Sequence, residues 1–206
     1  MNINAGSDTI ASTLRAIFYY LLKHPATQEK LVAELDSACA ANILTTPSPT
    51  WNETQALPYL CAVIKEGLRM NPALSLPLER VVPSTGLQLP DENQTFLPSG
   101  TIVGINPYVL HRDPRIFGEH PEQWDPERWF SEHEKKTKYM EHSLLSFGGG
   151  KRSCLGKNIA MLELHKLVPA VFLKFKMELS DPTKQWQVSN AWVLNQTGLH
   201  VKLSAR

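Results

Sequence analysis

Residues 146–160 read SFGGGKRSCLGKNIA, so that one cysteine, Cys154, follows a phenylalanine, three glycines and two cations. Several chemistries compete for such a segment. A phosphate-binding loop needs Ser or Thr after Gly-Lys, but Arg152 follows Lys151 and Leu145 holds the first glycine position. A dinucleotide fingerprint built on Gly148 and Gly150 needs glycine where Ser153 stands, and no clear strand precedes it. A cysteine nucleophile suits the expected helix start at Cys154, whose dipole together with Arg152 favours the thiolate, but no general base is close in sequence. A cysteine ligand suits the glycines, which let a large flat group approach the backbone while Arg152 pairs with its carboxylates. A cysteine that merely packs is the plain alternative.

Two other groupings could do chemistry. Glu66 and Arg69 in EGLR lie one helical turn apart and opposite the apolar stripe, where a solvated pair is worth only ~0.3–0.5 kcal/mol. If the stretch around Pro126, Arg128 and Trp129 covers that face, the pair becomes a buried triad with Arg128, and removing one partner costs about 3–5 kcal/mol. In AGSDT, Asp8 reads as the N-cap of a helix starting at Thr9. Against that, Ala5, Gly6, Thr9 and Thr13 share a flank of small and hydroxyl-bearing residues, which suits a groove.

The elements that must position these residues are mostly helices. Ile10, Leu14, Ile17, Phe18 and Leu21 recur at helical period, predicting a helix over 9–24. Pro25 starts a second over 25–41 with Leu31 and Leu35 inward, and LPYLCAVIKEGLRM predicts a third over 57–70. Prolines recur too often between 71 and 130 for long helices, leaving short β segments at TFLP and TIVGI and a short helix near PYVLH. A helix is expected over 154–175, bent at Pro169, followed by a terminal hairpin formed by AWVL and GLHVKL.

With 21 basic and 20 acidic side chains in 206 residues, the formal charge of +1 supports no nucleic-acid partner. Cys39, Cys61 and Cys154 form no CxxC, which points away from a disulfide framework or structural zinc and toward a reducing compartment. No run of apolar residues is long enough to span a membrane.

Phe147, Gly150, Arg152, Cys154 and Gly156 stand in the spacing F-x-x-G-x-R-x-C-x-G, which resembles the haem-binding loop of the cytochrome P-450 family. Glu66 and Arg69 match that family's E-x-x-R, with Arg128 as the second arginine, and residues 5–9 are similar to its oxygen-binding segment. The resemblance implies a mainly α fold with small β-sheets, present over residues 1–206 as the C-terminal, haem-binding half. It implies haem b, with Cys154 as the axial iron ligand, Arg152 and Arg80 on the propionates and His111 as a third contact. Phe147, Gly148, Gly150 and Gly156 would shape the cysteine side, and Ala5 and Gly6 the opposite face. Asp8 and Thr9 would relay protons to bound dioxygen.

Leu76, Leu78, Val193 and Leu194 would meet a small apolar organic substrate. Electrons would come from NADPH through a reductase docking near Lys151 and Lys157. AGSDTIAS, PLERVVP and the tail resemble fungal microsomal members, especially the pisatin demethylase-like group. That implies the cytosolic face of the endoplasmic reticulum membrane for a longer parent, with these residues cytosolic if made alone. The expected function is haem-thiolate monooxygenation; the alternatives are a truncated, non-catalytic haem-binding product and, from a different class, a cysteine hydrolase without haem.

Overall fold

The computed structural model describes residues 2–130 and 133–206, with residues 2–4 described as backbone. Helix α1, Asn2–Lys23, buries Ile17 and Leu21 completely, on the stripe that the periodicity predicts. It begins well before Thr9, so Asp8 lies inside the helix and is not its N-cap. Helices α2, Pro25–Ala40, and α3, Trp51–Gln55, follow, and Thr50 with Glu53 forms a capping box on α3.

Helix α4, Pro58–Met70, is the centre of the molecule and packs on α1, α2 and the later helix α8, Lys157–Lys174. Its N-cap, Leu57, has no side-chain acceptor. Glu34 of α2 supplies one instead, taking the Tyr59 and Leu60 amides at 2.8 Å each. Gly67 lets α1 approach α4, since a Cβ there would lie 2.3 Å from Ile17 Cγ1. The main core gathers Ile17, Leu21, Leu31, Leu35, Leu60, Ile64, Leu164 and Phe172.

The middle of the chain forms short antiparallel pairs: β1, Leu78–Val81, and β2, Leu87–Gln88, pair with β4, Ile102–Ile105, and β3, Phe96–Leu97, respectively. Short helices α5, Pro107–Leu110, and α6, Pro114–Phe117, lead to a 3₁₀ turn at Pro126–Phe130 and to α7, Glu134–His142. A second core of Ala62, Ile116, Phe117, Trp129 and Met140 binds this region to α4.

The tail departs from the expected hairpin. β6, Gln187–Ala191, pairs with β7, Val193–Thr197, whereas β8, Val201–Ala205, pairs with β5, Phe175–Leu179, directly after α8. Gly198 at φ +84° lies in the connection between β7 and β8, which pair with different strands. The architecture is mainly α with small two-stranded antiparallel sheets. Among the described residues no helix is long and apolar enough to cross a membrane.

Candidate functional site

The cysteine loop is closed by its own backbone. The Cys154 amide donates to the Phe147 carbonyl at 2.8 Å, with Gly148 at φ +66° and Gly150 at φ +61° inside the closed segment. Both glycines lie at positive φ, and Gly148, with ψ −163°, occupies an extended region that is essentially confined to glycine. A Cβ on Gly148 would lie 3.7 Å from the Arg152 carbonyl and 3.9 Å from Leu78 Cδ1, which places β1 beside the loop. Helix α8 starts at Lys157, with Gly156 as its N-cap, so Cys154 precedes the helix and does not open it. The reason is local: Gly150–Arg152 forms a 3₁₀ turn of its own, and Cys154 is spent on closing the loop.

Beyond Phe147, which packs against the main core, the side chains of residues 151–155 are exposed. Cys154 and Arg152 are exposed, Phe147 is half-buried, and Lys157 Nζ lies 5.9 Å from the centre of the Phe147 ring. Arg80 of β1 is also exposed, and its guanidinium donates to the neighbouring Glu79 carbonyl at 2.7 Å, with no carboxylate partner among the described residues. Leu78 and Arg80 are two residues apart on one strand and therefore share a face. Leu78 thus marks the side of β1 that meets the glycine loop, and Arg80 stands on that side.

On α1, Thr9 Oγ1 donates to the Ala5 carbonyl at 2.9 Å, and Thr13 Oγ1 repeats the pattern to Thr9 at 2.9 Å. Asp8 and Ala5 are exposed, while Gly6 and Thr9 are half-buried. The segments expected at a substrate pocket do meet: the Leu194 amide donates to the Ala73 carbonyl at 2.9 Å, and Leu74 bridges Val193. Leu76 is exposed and Leu78 and Val193 are half-buried, but Leu194 is 4% exposed and belongs to the core. The alternation of β7 explains the difference, since Leu194 and Gln196 share its inward face.

Glu66 and Arg69 are both fully buried, in contrast to the solvated pair that a bare helical wheel allows. Arg69 Nε and Nη2 grip the carboxylate at 2.8 and 2.7 Å, while Nη1 and Nη2 also donate to the carbonyls of His111, Pro121 and Gln123. Arg128 Nε reaches Glu66 Oε1 at 3.0 Å. Two partners were not read in the sequence, the Trp129 indole and the Asp125 amide, which donate to Glu66 at 3.0 and 2.9 Å. Trp129 adjoins Arg128, and an indole N–H next to a buried carboxylate was the signal available.

His111 is fully buried among protein groups. Its Nδ1 lies 3.0 Å from the Arg69 carbonyl and its Nε2 accepts the Leu145 amide at 2.9 Å, which leaves neither nitrogen for a propionate. Burial, and secondarily the nearby Arg69 and Arg112 charges, push its pKa down to about 4. Sequence reasoning also missed a buried polar cluster behind the α1 flank. Ser12 Oγ donates to the Leu194 carbonyl at 2.8 Å, and Gln196 Nε2 reaches Ser12 Oγ and Asn71 Oδ1 at 2.9 and 3.0 Å.

The family model of cytochrome P-450 matches residues 1–203. The chain is 46% identical over 209 aligned positions to the cytochrome P-450 monooxygenase cicH of Emericella nidulans, covering all of this chain and 40% of that protein. It is 42% identical to the monooxygenase esdpH of Penicillium shearii, again over all of this chain and 40% of the relative. With mpaDE of Penicillium roqueforti it shares 44% identity over the whole chain and 24% of that protein. The chain therefore spans about two-fifths or less of the length of these fungal relatives. On the extent of that match, and with the cysteine loop and buried Glu66 network in place, the chain belongs to the cytochrome P-450 family.

Proposed function

We propose that this chain is the haem-binding part of a monooxygenase that inserts one oxygen atom into a small apolar organic substrate. The observation that carries the reading is the cysteine loop: an exposed thiol on a backbone-closed turn, with glycines of positive φ at positions where side chains would otherwise stand. A planar tetrapyrrole carrying two carboxylates suits this donor set, since Arg152 and Arg80 are exposed cations without carboxylate partners among the described residues. Haem, when bound, supplies the oxygen chemistry, and thiolate ligation favours O–O cleavage.

The residues of the chain then have separate tasks. Cys154 binds iron as the thiolate. Gly148, Gly150 and Gly156 keep side chains away from the approaching ring, with Phe147 packing beside the sulfur, while Ala5 and Gly6 keep the α1 flank low. Arg152 and Arg80 orient the propionates. Asp8, exposed on α1, exchanges protons with solvent. The Thr9 hydroxyl, which donates to Ala5, keeps lone pairs free to accept a hydrogen bond, so that it would pass a proton on by taking one up and releasing its own. Leu76, Leu78 and Val193 offer apolar contact to the substrate. Electrons come from NADPH through a reductase, for which exposed Lys151 and Lys157 form a cationic approach, at the cytosolic face of the endoplasmic reticulum membrane.

The test is the absorption spectrum of the reduced, carbon monoxide-treated protein after haem is added. The native chain is expected to show the shifted band of thiolate ligation, and Cys154→Ser to lose it, because a serine hydroxyl is not ionised at neutral pH. A shifted band surviving in Cys154→Ser overturns the ligand assignment.

A further inference from the structure

His111 joins two parts of the molecule that are far apart in sequence. One ring nitrogen, Nδ1, faces the Arg69 carbonyl at 3.0 Å, and a carbonyl can only accept, so Nδ1 carries the proton. The other, Nε2, faces the Leu145 amide at 2.9 Å, and an amide N–H can only donate, so Nε2 carries the lone pair. The ring is thereby confined to the neutral Nδ1–H tautomer. A doubly protonated ring would oppose two donors at Leu145, in keeping with a pKa near 4 set by burial.

Both ends of this bridge lie at consequential places. At one end Arg69 returns the bond, donating from Nη1 to the His111 carbonyl at 2.8 Å, so residues 69 and 111 hold each other twice. At the other end Leu145 opens the turn Leu145–Phe147, whose last carbonyl receives the Cys154 amide. Ser146 adds a second bond from that turn to the end of α4, donating to the Leu68 carbonyl at 2.7 Å. The glycine loop has no other side-chain bond to the protein interior among the described residues.

We propose that His111 is a positioning residue: through its two ring nitrogens it transmits the rigidity of the buried Glu66–Arg69 network to the turn that presents Cys154. The consequence at iron rests on the ligand reading of Cys154, but the bridge is a property of the protein without haem and is tested there.

Amide hydrogen exchange at Leu145 and Cys154, and the alkylation rate of each cysteine by iodoacetamide, are measured on the 206-residue chain without haem. His111→Phe keeps a ring of similar size against Phe117 but removes both bonds, whereas His111→Asn keeps a donor at the position of Nδ1. Both substitutions are expected to speed exchange at Leu145 and Cys154, and alkylation of Cys154, by roughly tenfold, because the loop loses its acceptor. His111→Asn is expected to recover thermal stability relative to His111→Phe without restoring the loop. Uniform acceleration at α1 amides, at Cys39 and at the loop alike, or an unchanged loop, overturns the proposal. Nitrogen NMR of the native ring gives a reading that needs no variant: protonated Nδ1 with bare Nε2 is expected at neutral pH, and the opposite tautomer overturns the bridge.

Discussion

The Glu66 network and the cysteine loop treat their polar groups in opposite ways. Around Glu66 nearly every donor is consumed within the protein: Arg69 spends its guanidinium on one carboxylate and three carbonyls, and Glu66 takes bonds from Arg69, Arg128, Trp129 and Asp125. In the loop the backbone is satisfied and Ser146 is tied to the end of α4, while Cys154 and Arg152 are exposed. The first arrangement makes a scaffold, since a buried charge is tolerable only when fully paired. The second leaves its thiol and cation available to a ligand, since a side chain already bonded has little to offer one. His111 lies between the two and belongs to the first.

The largest break in this contrast is expected from Glu66→Ala. It strands two guanidiniums and an indole N–H in a covered site, and is expected to cost about 3–5 kcal/mol of unfolding free energy, read by chemical denaturation. A change below about 0.5 kcal/mol would mean that the network is worth no more than a solvated pair.

Acid is expected to attack the same side of the contrast. His111 has a folded pKa of about 4 against an ordinary value of 6.5, so the unfolded chain takes up the proton first. Stability is therefore complete above about pH 6.5, falls as pH is lowered, and levels off near pH 4, with His111 contributing on the order of 3 kcal/mol. His165, buried against Gln55 with its pKa also lowered to about 4, adds a loss of the same sign. Denaturation series between pH 4 and 7 are expected to become shallower in His111→Asn, keeping the slope that His165 supplies.

Smaller effects are expected in the loop. Gly150→Ala meets no atom within 4 Å, so its cost is the left-handed backbone alone, about 1–2 kcal/mol. Arg152→Ala, at an exposed position, is expected to change stability by less than about 0.5 kcal/mol while weakening haem binding, as read by titration. A large stability loss in Arg152→Ala would erase the distinction between the scaffold and the loop.

Much of this organisation can be read from residue order. The stripe of Ile17 and Leu21, the inward Leu31 and Leu35, and the short strands around TFLP and TIVGI follow from periodicity and turn chemistry, and the cysteine motif carries its family with it. Strand partners were less legible. The tail contains strands where expected, but β8 pairs with β5 across twenty-odd intervening residues, because a β segment encodes a face and not a neighbour. Leu194 illustrates the same limit, since alternation separates two faces without saying which one meets the core.

By itself, the sequence determined which residue types were available for chemistry: one cysteine in a glycine loop, an acid and an arginine one turn apart, and a run of helices to carry them. The tertiary structure alone decided what each polar group became. Glu66 and Arg69 are identical on paper to an exposed helix pair, and they are buried because residues from 111 to 129 fold over them. His111 offers two ring nitrogens to any partner, and the approach of α4 on one side and of Leu145 on the other uses both. Helical and strand periods are local properties of the backbone, whereas burial and hydrogen-bond partnership depend on contacts that residue order alone does not specify.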